Sequence, residues 1–244
     1  MAPAAGKGVN GVTQEADLLA RLARDLAGER DLDGVLRRVV EASAAQIDGA
    51  ENAGITILSQ KSVSTPAATS DLVREVDKHQ YATGEGPCLS AAIDHQPVVR
   101  VDDLGTDPRW PRFATAATAL GVRSMLSFQL YTAPGGAGTA DVTMGALNVY
   151  AAGPAAFGDD SVHTGTLLAA HAAVAAAGAA TSSNLRLALQ SRDTIGQAKG
   201  ILMERYKITA EQAFDLLIAA STRTNRKLKD VAADLATTGA LRVD

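Results

Sequence analysis

Apolar residues recur at helical spacing in three successive segments within residues 191–238, the last fifth of the chain. Residues three and four positions apart lie on one face of an α-helix, so each segment is predicted to be an amphipathic helix. Helices this short are not stable alone in water, and the three are therefore predicted to pack into one bundle. The apolar positions are Ile195, Ala198, Ile201 and Leu202 in the first helix, Ala213, Leu216, Leu217 and Ala220 in the second, and Leu228, Val231, Ala232 and Leu235 in the third.

Polar residues between these segments predict where the helices begin and end. Thr209 and Gln212 have the spacing of a capping box, in which the hydroxyl and the amide satisfy unpaired backbone groups at a helix start. Asn225 is the predicted N-cap of the third helix, because its side chain can accept a hydrogen bond from the first turn. Gly239 is the predicted stop, since glycine adopts left-handed backbone conformations without strain.

Four basic side chains crowd the start of the third helix, namely Arg223, Arg226, Lys227 and Lys229. Cations at this end oppose the helix dipole, at a cost of roughly 0.3 kcal/mol each. An anion bound to the free N–H groups would reverse the sign of that effect. The cluster therefore indicates either an anion-binding surface or a solvated basic turn without a ligand.

The first two-thirds of the chain alternates between helical and strand-like patterns. Strands are predicted at residues 53–58, 63–68, 98–101, 124–131 and 143–150, and helices at 13–27, 32–47, 72–80, 87–94 and 109–120. The last two strands are joined by residues 132–141, a Gly- and Ala-rich segment predicted to be a flexible loop. Strands with helices on both sides predict an α+β fold, with one antiparallel sheet flanked by helices and followed by the all-α bundle.

The C-terminal stretch resembles the ANTAR domain, the RNA-binding module of bacterial transcription antitermination regulators. The resemblance implies a three-helix bundle that works as a dimer and binds hairpin loops in nascent RNA, so that a competing terminator does not form. Such loops suit protein readers because their bases are unstacked and accessible. The matching residues are Ile195, the run QAKGILM at 197–203, Arg205, the run EQAF at 211–214, Leu217, Ala220, the run NRKL at 225–228 and the run DVA at 230–232.

Polar residues within this stretch are the candidate RNA contacts. Lysine and arginine would hold phosphates, whereas Gln197 and Asn225 could read base edges or satisfy the backbone. Tyr206 could stack on a base. The full set is Gln197, Lys199, Arg205, Tyr206, Arg223, Asn225, Arg226, Lys227 and Lys229.

Residues 31–176 resemble a GAF domain, a small-molecule sensing fold. The pieces that carry the resemblance are GEGPC at 84–88, DDL at 102–104, DPRWP at 107–111, GVRS at 121–124, GALNVY at 145–150 and Phe157. A GAF pocket would lie between the sheet and the segments 81–90 and 102–119. Its candidate lining residues are Tyr81, Cys88, Asp103, Trp110 and Phe113.

The pocket residues also have structural interpretations. Trp110 between Arg109 and Pro111 is typical of a packing anchor, and Cys88 of a small buried apolar residue. The NKxxFxxxDE signature of cyclic-nucleotide-binding GAF domains is missing, so no ligand or cofactor is predicted by name. A GAF domain that only dimerises, without a ligand, remains an alternative.

Charge is distributed unevenly over the 244 residues. Residues 1–189 hold 14 basic and 20 acidic side chains, whereas residues 190–244 hold 9 basic and 7 acidic ones. The balance changes sign at the segment predicted to bind RNA, although the overall charge is −4. One cysteine excludes an intrachain disulfide and fits a reducing cytoplasm. The four histidines show no metal-ligand spacing, so no metal site is predicted.

The predicted organisation is a disordered leader at 1–12, an N-terminal helix at 13–30, the GAF domain at 31–176, a helical connector at 177–190 and the ANTAR domain at 191–244. The absence of proline from 161 to 206 allows one long helix, and a break near 178 or 181–184 is the alternative. The alanine-rich run at 167–180 contains His171, which argues against a membrane span.

The sequence therefore predicts a cytoplasmic, homodimeric RNA-binding regulator that is not an enzyme. A sulfoxide reductase of the GAF fold would need more than one reactive cysteine, and Cys88 alone cannot form the intramolecular disulfide of such a cycle. The alternatives are a DNA-binding transcriptional regulator and a small-molecule sensor that binds no nucleic acid.

Overall fold

The computed structural model describes residues 7–29, 31–59, 62–94, 96–130 and 145–241. The chain divides into two compact units, Met1–Ala180 and Thr181–Asp244, which are described separately. Part of the predicted leader, the predicted flexible loop at 132–141 and His95 lie outside the described residues. Residues 7–12 of the predicted leader are helical, because the first helix begins at Lys7 and not near Thr13.

The first unit contains a five-stranded antiparallel sheet, which confirms the predicted α+β fold class. The strands are β1 (Asn52–Ser59), β2 (Ser62–Ala68), β3 (Val98–Val101), β4 (Ser124–Leu130) and β5 (Gly145–Ala151), in the spatial order β2-β1-β5-β4-β3. The helices of this unit are α1 (Lys7–Ala27), α2 (Leu32–Gln46), α3 (Asp71–Thr83), α4 (Pro87–Ile93) and α5 (Pro111–Ala119), followed by the start of α6 (Asp159–Tyr206).

Both faces of the sheet are covered by helices, so β4 and β5 are buried along almost their whole length although they contain polar residues. Successive side chains of a strand point to opposite faces. Leu147 and Val149 of β5 therefore pack with α1, α2 and the first turns of α6, whereas Ala146 and Tyr150 pack with α3, α4 and α5. We call the second side the α3–α5 face.

The second unit consists of the C-terminal part of α6 with α7 (Ala210–Thr224) and α8 (Leu228–Thr238). The first helix of the predicted bundle is therefore the end of a 48-residue helix and not a short separate one. Ala198, Leu202, Leu217 and Leu235 are among the side chains at the centre of the bundle. Leu216 was predicted to be buried but is 40% exposed, because the buried stripe of α7 is narrower than its apolar pattern.

The ends of the helices confirm two capping predictions and correct a third. Thr209 and Gln212 form the capping box of α7, and Gly239 ends α8 in the left-handed conformation. Asn225 is not the N-cap of α8 but the C-cap of α7, with a positive φ of 51°. The N-cap of α8 is Lys227.

Among the described residues, one helix, α6, is long and apolar enough to cross a membrane. Length and composition alone carry that result, and a single such helix is weak evidence for a membrane protein.

Candidate functional site

The turn between α7 and α8 is held by two hydrogen bonds between Ser221 and Arg226. The Arg226 N–H donates to the carbonyl of Ser221 at 3.1 Å, and the Ser221 hydroxyl donates to the carbonyl of Arg226 at 2.6 Å. Asparagine tolerates the left-handed conformation that Asn225 adopts between them. The turn therefore presents Arg226 and Lys227 from a fixed backbone.

The start of α8 has no side-chain cap. Lys227 has the extended backbone of an N-cap, with φ −62° and ψ 138°, but its ammonium group cannot accept a hydrogen bond from the first turn. The first N–H groups of the helix are thus left to solvent or to a ligand. The positive charges of the surrounding basic side chains interact unfavourably with the helix dipole unless an anion is bound.

The basic side chains near this turn differ in whether they already form an ion pair within the protein. Arg226 pairs with Asp234 at 2.7 Å, and this hydrogen-bonded carboxylate raises the pKa of the guanidinium. Within the part of the chain that the structure describes, Arg223, Lys227 and Lys229 form no ion pair, and all three are exposed. These three are therefore available to a phosphate, whereas Arg226 must first leave its partner.

Other predicted RNA contacts lie on α6. Gln197 and Arg205 line an open groove of about 570 Å³ together with Gly200, Ile201, Glu204 and Ala236, between α6 and α8. We call this the α6–α8 groove. Tyr206 follows Arg205 at the end of α6 and is 55% exposed.

Lys199 does not line this groove. Its Nζ atom lies 5.7 Å from the centroid of the Phe214 ring, within reach of a cation–π contact with α7. The predicted contacts thus fall into three places, namely the α7–α8 turn, the α6–α8 groove and the α6–α7 side. Sequence reasoning missed the groove, because a helical pattern does not show which exposed residues of two helices face each other.

The five predicted pocket residues of the first unit do not play one common role. Cys88, Trp110 and Phe113 are buried in the core of the α3–α5 face. The guanidinium of Arg109 covers the Trp110 ring at 4.2 Å from its centroid, a packing contact. Asp103 binds Arg123 through two hydrogen bonds of 2.8 and 2.6 Å, and this pairing lowers the pKa of its carboxyl group.

A buried polar network occupies the α3–α5 face and includes the fifth residue, Tyr81. The Asp77 carboxylate accepts from the Tyr150 hydroxyl at 2.6 Å and from the Thr65 hydroxyl at 2.7 Å. The Tyr81 hydroxyl lies 2.6 Å from Thr65 Oγ1 and 2.9 Å from Thr56 Oγ1. Burial raises the pKa of Asp77 more than its hydrogen bonds lower it.

Gln80 connects this network to α4. Its Nε2 donates to Asp77 at 3.0 Å, and its Oε1 accepts from the Cys88 backbone N–H at 3.0 Å. A Cβ atom at Gly86, where φ is 138°, would stand only 2.2 Å from that Oε1 atom. Glycine is therefore required at position 86 both by the backbone conformation and by the closeness of Gln80.

Cys88 is fully buried, and burial raises the pKa of its thiol to about 12. A thiol with such a pKa is not a thiolate at neutral pH, so it is a poor nucleophile. No group of three or more His, Cys, Asp or Glu side chains among the described residues could hold a metal ion.

Two buried polar atoms of the sheet lack partners among the described residues. They are Ser127 Oγ on β4 and Asn148 Oδ1 on β5, and the two residues are directly paired across the strands. The other side-chain atom of Asn148, Nδ2, donates to Thr56 Oγ1 at 3.1 Å. Unpaired buried polar atoms are rare in folded proteins, and these two lie on neighbouring strands of the α3–α5 face.

Comparison with protein-family models gives two matches. The model of the GAF domain matches residues 29–177, and the model of the ANTAR domain matches residues 183–235. No curated protein sequence matches the chain.

Solved structures similar to this chain include GAF domains of other proteins. The GAF domain of the Acinetobacter phosphoenolpyruvate-protein phosphotransferase is 16% identical with a TM-score of 0.52, over 70% of this chain and 98% of that one. The free methionine-R-sulfoxide reductase from Neisseria meningitidis is 14% identical with a TM-score of 0.54, over 75% and 99%. The phytochrome photosensory core module of Stigmatella aurantiaca is 10% identical with a TM-score of 0.57, over 95% and 47%. Identities this low show a shared fold alone.

Proposed function

Because the chain belongs to the GAF domain family and carries an ANTAR domain at its C-terminal end, we propose that it binds hairpin loops in nascent transcripts and thereby controls transcription termination. The ANTAR domain implies an RNA-binding antitermination regulator, and the GAF domain implies a sensor. In this proposal the protein is a cytoplasmic homodimer, and a signal received by the GAF domain alters how the ANTAR domain binds RNA.

One observation carries the proposal. The exposed basic turn lies inside the ANTAR match, at a helix start where no side chain caps the backbone N–H groups. Positive charges at such a helix start slightly destabilise the helix in the free protein, whereas a bound anion would stabilise it. RNA supplies that anion in its phosphates, while its unpaired loop bases supply stacking and hydrogen-bonding groups.

The proposed contacts follow from exposure and charge. Arg223, Lys227 and Lys229 hold phosphates directly, and Arg226 does so after exchanging Asp234 for RNA. A phosphate contact gives affinity without sequence preference, so these four set the salt dependence of binding. Gln197, Tyr206 and the amide of Asn225 supply base contacts, and Lys199 supports α7 through Phe214.

For the sensor domain we propose a small polar ligand, seated where Ser127 and Asn148 have atoms without partners. A ligand there would meet the hydroxyl groups around Thr56 and displace part of the packing contributed by α4. Trp110, the single tryptophan of the chain, lies in the same core and would report binding by its fluorescence.

RNA binding is tested with the full-length protein, a pool of RNA hairpins with randomised loops and a DNA duplex of equal length, all at one ionic strength. We expect hairpins to bind at least about tenfold more tightly than the duplex, and Arg226→Ala with Lys227→Ala to reduce that affinity about tenfold or more. The matched control, Arg37→Ala with Lys78→Ala, removes the same charge from exposed helix positions of the GAF unit. Preference for the duplex, or equal losses in both double variants, would contradict the proposal.

A further inference from the structure

The α6–α8 groove has a small apolar floor and a polar rim. The floor consists of Gly200, Ile201 and Ala236, and the rim of Gln197, Glu204 and Arg205. We infer that this groove receives one unstacked base of the RNA loop, an inference that rests on the RNA binding proposed above.

Gly200 gives the groove its width. Glycine is among the poorest helix formers, and Gly200 lies in the interior of α6. A Cβ atom at this position would meet nothing within 4 Å, so packing inside the protein does not require a glycine there. The missing side chain exposes bare helix backbone, and a flat ring can approach it closely.

The rim favours a base over a phosphate. Glu204 brings a carboxylate to the groove, and a carboxylate repels a phosphate but accepts hydrogen bonds from the amino and imino groups of a base. The amide of Gln197 both donates and accepts, and the guanidinium of Arg205 donates to ring nitrogens and carbonyls. Glu204 pairs with Lys207 at 2.9 Å, and both side chains are highly exposed, so this ion pair is weak enough to rearrange.

The guanidinium of Arg205 lies close to the end of α8. A Cβ atom built on Gly239, the C-cap of α8, would lie 3.6 Å from Arg205 Nη2. The carbonyl groups at a helix C-terminus favour a cation at this distance. This attraction favours a guanidinium beside the groove, where its N–H groups can reach a base.

Phosphate and base sites share one face of α8. Lys229 precedes Ala236 by seven residues, two turns of a helix, and therefore lies on the same side. The separation along the axis is about 10 Å at 1.5 Å per residue. One RNA strand can thus place a phosphate on Lys229 and turn a nearby base into the groove.

The test fills the groove with a side chain. Gly200→Leu projects an isobutyl group into it, whereas Gly196→Leu makes the same change one turn earlier, outside the groove lining and also in open space. The RNA is a hairpin selected by the wild-type protein from the randomised pool, followed by variants with an abasic site at each loop position in turn.

Gly200→Leu is expected to weaken hairpin binding about 10- to 100-fold, the value of one stacked base, and Gly196→Leu less than about twofold. An abasic site at one loop position should weaken wild-type binding by a similar factor and should not weaken Gly200→Leu further. Both variants should melt at or above the wild-type temperature, since leucine is the better helix former. Gln197→Ala is a change on the exposed rim. An abasic site at the same loop position should not weaken the binding of this variant further either.

The base-binding groove would be overturned if Gly200→Leu bound the hairpin with wild-type affinity. It would also be overturned if, in both Gly200→Leu and Gln197→Ala, the affinity loss caused by the substitution and the loss caused by the abasic site added at every loop position. Either result would leave RNA binding in place. Selection of no hairpin at all by the wild-type protein would instead remove the proposed function, and this inference with it.

Discussion

The hydroxyl of Tyr150 donates a 2.6 Å hydrogen bond to Asp77 Oδ1 and so ties β5 to α3 inside the GAF domain. Both residues are fully buried, and Asp77 also accepts from Thr65 and Gln80. A carboxyl group in this position adds polar contacts to the apolar packing between the sheet and its covering helix. Its protonation state therefore affects the stability of the domain.

Burial raises the pKa of Asp77, so the folded protein binds this proton more tightly than the unfolded chain does. The stability that the group contributes is complete below the unfolded pKa and is lost as the pH rises through the folded pKa. We expect Asp77→Asn, which keeps the shape but cannot ionise, to reduce the loss of unfolding free energy on going from mildly acidic to alkaline pH.

The measurement is urea unfolding across that pH range, followed by the fluorescence of Trp110, which lies in the same core. Asp215→Asn, at an exposed position of α7, serves as the control and should keep the wild-type pH dependence. Identical slopes for Asp77→Asn and the wild-type protein would show that the buried carboxyl group is not the source of the pH dependence.

The ion pair between Arg226 and Asp234 competes with RNA for the same guanidinium. Both side chains are nearly half exposed, so solvent screens the pair and it adds little to stability. We expect Asp234→Asn to leave the unfolding free energy almost unchanged and to raise hairpin affinity about two- to fivefold, because it frees Arg226 and removes a charge that repels phosphate.

Fluorescence anisotropy with a labelled hairpin measures this change, and Asp215→Asn again provides the same change of charge on another helix. If both variants gained affinity equally, the effect would come from net charge and not from the release of Arg226.

Lys227 occupies a position where a different residue would stabilise α8. Its backbone already has N-cap geometry, and serine there could accept a hydrogen bond from the first turn. Lys227→Ser is therefore expected to raise the unfolding free energy of the bundle by about 1 kcal/mol while it weakens hairpin binding. Circular dichroism melts and binding titrations measure the two effects.

Lys229→Ser separates charge from capping, because it removes the same charge from inside the first turn of α8. It should weaken RNA binding without a gain in stability. A Lys227→Ser variant that is less stable than the wild-type protein would mean that the start of α8 is satisfied in some other way.

Ala213 lies at the centre of the bundle with no exposed surface. Ala213→Asp would bury a charge without a partner, so we expect a loss of about 3 kcal/mol or more and unfolding of the bundle. Ala219→Asp makes the same substitution at an exposed position of α7 and should cost less than about 1 kcal/mol. Helical circular dichroism during urea titration compares the two, and a native transition in Ala213→Asp would contradict the observed packing.

The spacing of apolar residues predicted the strands and helices well, because one face of a strand or helix lies against the core along its whole length. The same rule could have identified the buried network, since Val73, Val76, Asp77 and Gln80 follow the spacing of one helical face and all are buried. Asp77 was overlooked because a charged residue in a polar helix is usually exposed. Two of its partners, Thr65 and Tyr150, come from β2 and β5, and no local pattern of the sequence brings those strands together.

Capping preferences located the α7–α8 turn but assigned its residues incorrectly. Asparagine is favoured both at N-caps and in the left-handed conformation, so Asn225 fitted either helix end. The structure extends α7 to Thr224, which leaves Asn225 as its C-cap and shifts the start of α8 to Lys227. The choice depended on where α7 stops, and that is set by packing against the rest of the bundle.

The position of the unit boundary inside α6 has a consequence for making fragments. A fragment that contains only the C-terminal unit must be cut from the middle of a helix, and its first four backbone N–H groups lose the carbonyls that paired with them. Starting at Ser182, Ser183 or Ser191 would place a hydroxyl where a helix start can use it, whereas starting at Leu185 would not. The choice of first residue should thus decide how much of the excised helix frays.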